Sequence, residues 1–143
     1  MKNILKILAF ASLGFAGNWV HAQDSTVSVQ LGVPDGGWKI RIVQVYQTPT
    51  HLLAVSKLER SPGPAIQVIS QVKDLVKVKA PKLPVRHFVL GKTWNWPNKE
   101  PVTFLSDPKE LSKPIAGAKL VFQAKAKPAP KVPTKINYIV VYK

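Results

Sequence analysis

Alternation between apolar and polar residues is the dominant pattern along this chain, and it predicts strands. In Thr26–Leu31, Val27, Val29 and Leu31 point one way, with Ser28 and Gln30 between them. In Trp38–Tyr46, Trp38, Ile40, Ile42, Gln44 and Tyr46 share one face, opposite Lys39 and Arg41. Asp35-Gly36-Gly37 precedes that run as a turn whose glycines suit positive φ. A third strand, His51–Leu58, returns after Thr48-Pro49-Thr50 and is expected to form a hairpin with the second. Its buried face stays open, because Leu52, Ala54 and Leu58 compete with Leu53 and Val55.

Ser61-Pro62-Gly63-Pro64 closes the third strand, and Ala65–Val72 and Leu75–Val78 follow as two strands separated by Lys73-Asp74. Val85–Leu90, Ala118–Ala124 and Ile136–Tyr142 complete eight β segments. Only one short helix is expected, near 107–113. There Asp107, Pro108 and Glu110 occupy the N-cap, N1 and N3 positions of a capping box, and Pro114 stops it. Thirteen prolines exclude long helices. The expected fold class is all-β, a single sandwich or open barrel of about seven or eight short strands.

The N-terminus reads differently. Lys2 and Lys6 precede the apolar run Ile7–Ala16, and Val20-His21-Ala22 supplies compact residues before Gln23. This is the pattern of a secretory signal peptide cleaved after Ala22, leaving residues 23–143 as one β domain. The run is about half the ~20 residues a membrane span requires, so no span is expected. The predicted destination is the periplasm or the medium.

Composition then narrows the chemistry. The 143 residues contain no cysteine, three histidines and seven acids, which removes disulfides and thiolate sites and leaves little for catalysis. His51 and His87 have no acid or second histidine nearby in sequence, short of the three or four ligands a zinc site needs. Gly91-Lys92-Thr93 lacks the earlier glycine of a phosphate loop, since Arg86 stands at that place. The expectation is a non-enzymatic protein without cofactor or metal.

Two surfaces stand out. Trp94 and Trp96, at i and i+2 of an extended segment, project to the same side, so their indoles are expected together. They read either as an anchor for a protein partner, alongside Pro62, Gly63 and Pro64, or as a cap on the core. The second surface is charge. Removing residues 1–22 takes Lys2 and Lys6 but no acid, so the net +14 becomes +12. Residues 23–72 carry only +1 of this and residues 73–143 carry +11. Lys77 and Lys79 share a strand face, Lys82 and Arg86 follow, and Lys125, Lys127, Lys131 and Lys135 stud the Lys/Pro-rich stretch 125–135, read as an extended loop. These eight residues form the expected site for a polyanion such as an anionic polysaccharide. Nucleic acid is not expected of an exported protein without a binding motif, and lysine's dominance over arginine leaves plain solvating charge as the alternative to polyanion binding.

Gly36-Gly37-Trp38 opens an alternating strand, followed by Pro62-Gly63-Pro64, Gln67-Val68-Ile69 and the valine-rich Leu75–Val78. On these motifs Gly36–Val78 resembles the small exported PrcB-like domain associated with a bacterial surface protease complex. The likeness covers about a third of the chain. It implies a β module without catalysis of its own that stabilises or regulates a secreted protease.

Overall fold

Val27, Val29, Leu31 and Val33 are buried while Thr26, Ser28 and Gln30 are exposed, as their alternation requires, in the computed structural model, which describes residues 23–127. These residues form β1 (Asp24–Val33). It is followed by β2 (Trp38–Gln47), β3 (Leu52–Arg60), β4 (Ser70–Lys79), β5 (Val85–Leu90), β6 (Val102–Leu105) and β7 (Lys119–Gln123). A single 3₁₀ turn, Pro108–Ser112, lies between β6 and β7. The chain is all-β, as expected, and its two sheets form an open sandwich. The signal segment, the expected strand Ile136–Tyr142, Lys131 and Lys135 lie outside the described residues.

One layer is the antiparallel pair β1–β4, and the other is a five-stranded sheet in the order β6-β5-β3-β2-β7. The expected hairpin is present, with β2 and β3 antiparallel from Trp38↔Arg60 to Gln47↔Leu52. After β3 the chain crosses to the small sheet as β4, then re-enters the large sheet as β5, parallel to β3. The main core lies between the layers and contains Val27, Leu31, Ile42, Val45, Leu52, Val78 and Val89. Burying each such aliphatic side chain stabilises the fold by about 1.5–3 kcal/mol.

Two expectations about strands are corrected, one open face is resolved, and one strand is new. First, Lys73-Asp74 is not a turn: β4 is one strand through both residues, and Ala65–Ile69 is a loop. Lys73 sits on the solvent face of that strand, while the Asp74 carboxylate accepts the backbone N–H of Ile42 at 2.7 Å. Second, the alternation of β2 does not run through to Tyr46. A bulge between Ile42 and Gln44 reverses the faces, so Val45 joins the main core while Val43 and Tyr46 turn to the opposite side. Third, neither face of β3 wins. Leu52, Ala54 and Leu58 face the small sheet, Val55 meets Leu105 and Leu111 on the far side, and Leu53 is buried as well. A central strand covered on both faces reads as a continuous apolar run. Fourth, β6 was not expected at all; it is a four-residue strand that pairs parallel with β5.

The turn after Ser106 matches expectation closely. Asp107 caps it, accepting from the Lys109 N–H at 2.8 Å, and Glu110 accepts from the Asp107 N–H at 2.8 Å. It is 3₁₀ and not α, and it lays Leu111 over the second cluster. At Asp35-Gly36-Gly37 the turn forms, but neither glycine takes positive φ. Glycine is required at position 37 for space: a Cβ there lies 2.9 Å from Asp35 Oδ1 and 3.1 Å from the Ala65 Cβ.

Candidate functional site

The loop from Gly91 to Pro101 carries both tryptophans. It leaves β5 at Gly91, whose φ of 96° and close approach to the Leu58 carbonyl admit no side chain. Trp94 turns inward, meeting Trp38 edge-on at 5.2 Å between ring centroids and Phe104 at 6.4 Å. Trp96 stacks at a tilt on Trp94, 5.4 Å away, so the expected pairing of indoles is present. The two rings differ in burial: Trp94 packs against the core, whereas Trp96 remains 36% exposed. Lys92 lies 4.4 Å from the Phe104 ring centroid and donates to the Trp96 carbonyl at 2.8 Å.

A polar chain fastens this loop to β1. Trp94 Nε1 donates to Asn98 Oδ1 at 3.0 Å, and Asn98 Nδ2 donates to the Gly32 carbonyl at 2.9 Å. The Gly32 N–H in turn donates to Glu100 Oε1 at 2.7 Å. Burial alone pushes the Glu100 carboxyl up, but the donors from backbone N–H groups, Gly32 among them, and from Asn98 outweigh it and hold it below the ordinary value. A Cβ at residue 32 would lie 3.3 Å from Glu100 Oε1, which must then give by a few tenths of an ångström, and in ordinary contact with the Trp96 ring at 3.8 Å.

Pro62, Gly63 and Pro64 lie at the same end of the sandwich, in the loop joining β3 to β4, and all three are exposed. The rest of that loop holds a feature the sequence reading missed: Ile66, Val68 and Ile69 are 75%, 60% and 72% exposed. The sequence places them within an expected strand, Ala65–Val72. No neighbouring strand receives them among the described residues, and the loop is instead held by its own polar groups. The Ile66 carbonyl accepts from Gly36 N–H at 3.1 Å and from Val68 N–H at 2.9 Å, and Ser70 Oγ donates to the Val68 carbonyl at 2.8 Å. Beneath it, Asp35 accepts from Gly37 N–H at 2.8 Å and from Arg60 Nε at 3.2 Å. The Gly37 N–H first, and the Arg60 guanidinium after it, hold the Asp35 carboxyl below its ordinary value. The available signal was the run Ile66–Ile69, bounded by Pro64 and Ser70, with one polar residue among three aliphatics.

The basic residues do not form one patch. Lys77 and Lys79 share the solvent face of β4 with Lys73, as expected of the first two. Lys82 is exposed in the connection to β5. Arg86 points to the far side of the large sheet: its neighbours Val85 and Val89 pack between the layers, while Phe88 and Leu90 join the second cluster. Lys125 and Lys127 sit beside β2, away from the outer face of β4.

His51 pairs through Nδ1 with Thr50 Oγ1 at 2.8 Å, and His87 is lodged in β5 with its Nδ1 buried and unpartnered. Desolvation lowers the His87 pKa, so the ring is neutral near pH 7. Among the described residues no three His, Asp or Glu side chains gather as metal ligands, and no helix is long and apolar enough to cross a membrane. No family model, curated protein or solved structure matches this chain.

Proposed function

We propose that this protein is an exported, non-enzymatic β module that binds a protein partner through the loop between β3 and β4. The observation that carries this reading is the display of Ile66, Val68 and Ile69 on a hydrogen-bonded frame. Large aliphatic side chains grouped on a surface favour association, because covering them removes apolar area from water. Pro62 and Pro64 restrict the loop before binding, which lowers the entropy lost on association. Trp96 flanks the same end of β1: a Cβ built on Gly32 would lie 3.8 Å from its ring, and the next residue, Val33, pairs with Ser70. The resemblance in Gly36–Val78 makes a secreted protease the first partner to test.

The test is co-purification from the periplasm or medium of the exporting cell with wild-type protein and with Ile66→Asp/Ile69→Asp. Both positions are exposed, so the variant should keep the wild-type unfolding midpoint. Recovery of one partner by the wild type and its loss from the variant supports the reading. Equal recovery by both removes the loop from it.

A second reading has its own observation. Lys73, Lys77 and Lys79 line one exposed strand face, which suits an anionic polysaccharide. Retention on an anionic-polysaccharide column that drops when all three are changed to Gln supports that reading.

A further inference from the structure

A groove of about 660 Å³ runs along the first half of β2, on the edge away from β3. It exists because β7 pairs with β2 only from Gln44 to Gln47, leaving Trp38–Ile42 without a strand on that side among the described residues. The backbone direction there follows from two bonds. The Gly37 carbonyl accepts from Ser61 N–H, toward β3, whereas the Ile42 N–H points the other way, to Asp74. Alternation then turns the N–H and C=O of Ile40 into the groove, and no described residue pairs with them.

The walls have two characters. Ile40, Ile42, Val76 and Phe122 supply apolar surface, and Lys39, Arg41, Lys57, Lys125 and Lys127 stand around it. The two acids present are already engaged within the chain: Asp74 holds the Ile42 N–H at 2.7 Å, and Glu59 pairs with Lys57 at 3.4 Å. No acid among the described residues pairs with Lys39, Arg41, Lys125 or Lys127. The groove thus offers an open strand edge, an apolar wall and uncompensated positive charge together.

We propose that this groove takes an extended acidic segment of a partner protein, added as a strand to Trp38–Ile42. Main-chain bonds to Ile40 supply the register, alternate apolar side chains meet Val76 and Phe122, and carboxylates on the other positions meet Lys39, Arg41, Lys125 and Lys127. Five residues of strand span about 17 Å, so a segment of five to eight residues fills the edge. An anionic polysaccharide satisfies the charge but has no peptide N–H and C=O ladder to offer, which is why a peptide fits these observations better. This site is separate from the Ile66–Ile69 loop, and neither depends on the other.

The test uses the full secreted chain and a fluorescent octapeptide alternating glutamate with valine, read by fluorescence anisotropy. Expected are saturable binding, weakening by about tenfold in Lys39→Gln/Arg41→Gln and again in Lys125→Gln/Lys127→Gln, and loss with a peptide N-methylated at alternate amides. Unchanged thermal unfolding shows that the variants remain folded, and Ile66→Asp/Ile69→Asp binds as the wild type does. Absence of saturable binding overturns the proposal. Equal binding of the N-methylated peptide, or of heparin in its place, also overturns it, because charge alone then suffices.

Discussion

Asp74 reaches from the small sheet to the large one and accepts the Ile42 backbone N–H at 2.7 Å, at the position where the bulge in β2 begins. The bond joins the two layers at one corner and satisfies an edge N–H that β7 does not reach. An ionised acceptor makes such a bond stronger than a neutral one. Asp74→Ala should therefore destabilise the fold by about 1–3 kcal/mol, and Asp74→Asn, which keeps an acceptor oxygen, by less than about 1 kcal/mol. Urea unfolding of both variants checks this; equal losses contradict a role for the hydrogen bond.

Two glycines with similar backbone angles should respond very differently to alanine. Gly63 has φ of 106° and Gly91 has φ of 96°, so both carry strain when replaced. Around Gly63 nothing lies within 4 Å of the added Cβ, whereas at Gly91 it lies 2.5 Å from the Leu58 carbonyl oxygen. Gly63→Ala should cost about 1–2 kcal/mol from the backbone alone. Gly91→Ala must also displace the central strand β3 and should cost at least about 2 kcal/mol more. Thermal unfolding of the pair measures the difference.

The Trp loop should loosen when its anchor to β1 is removed. Glu100→Ala deletes the acceptor of the Gly32 N–H and one partner of Asn98. A loss of about 1–2 kcal/mol is expected, with a red shift of tryptophan emission as water reaches Trp94 and Trp96. Unaltered emission contradicts the anchoring role.

Acid should act in two stages. His87 binds a proton less readily folded than unfolded, because burial lowers its pKa from 6.5. Its contribution to stability is thus complete above pH 6.5 and is lost as the pH falls from there toward the folded value. Asp35 and Glu100 are lowered from 3.8 and 4.5, so their contributions are present above those values and are lost as the pH falls through the folded ones. Urea midpoints taken from about pH 8 to about pH 3 should fall in both ranges for the wild type, and His87→Gln should lose the upper step. An upper step of the same size in His87→Gln assigns it to another group.

Local patterns were legible in the sequence and long-range ones were not. The alternation of Val27, Val29 and Leu31, the β2–β3 hairpin, the capping box at Asp107 and Glu110, and the pairing of Trp94 with Trp96 all depend on residues close in sequence. The bulge after Ile42 reverses a face without changing composition, so alternation carried Gln44 and Tyr46 to the wrong side. Lys73-Asp74 resembled a break because Asp is rare in strands, and its reason for being there is a bond to Ile42, 32 positions away. At four residues, β6 depends on β5 for pairing. The fastening of Trp94 through Asn98 to Gly32 and Glu100 likewise spans 66 to 68 positions. For the candidate site, proline and tryptophan attracted notice, whereas the aliphatics Ile66, Val68 and Ile69 looked like ordinary strand residues. Their exposure follows from the lack of a neighbouring strand among the described residues.

The loop carrying those aliphatics is proposed to contact a partner protein. A photo-crosslinking side chain placed at Ile69, and as a control at Leu120, which is 42% exposed in the more distant β7, tests it most directly. After irradiation in cells that produce the protein, mass spectrometry should find one defined protein adduct from position 69 and none from position 120. No adduct at position 69, or the same adducts from both positions, contradicts the claim.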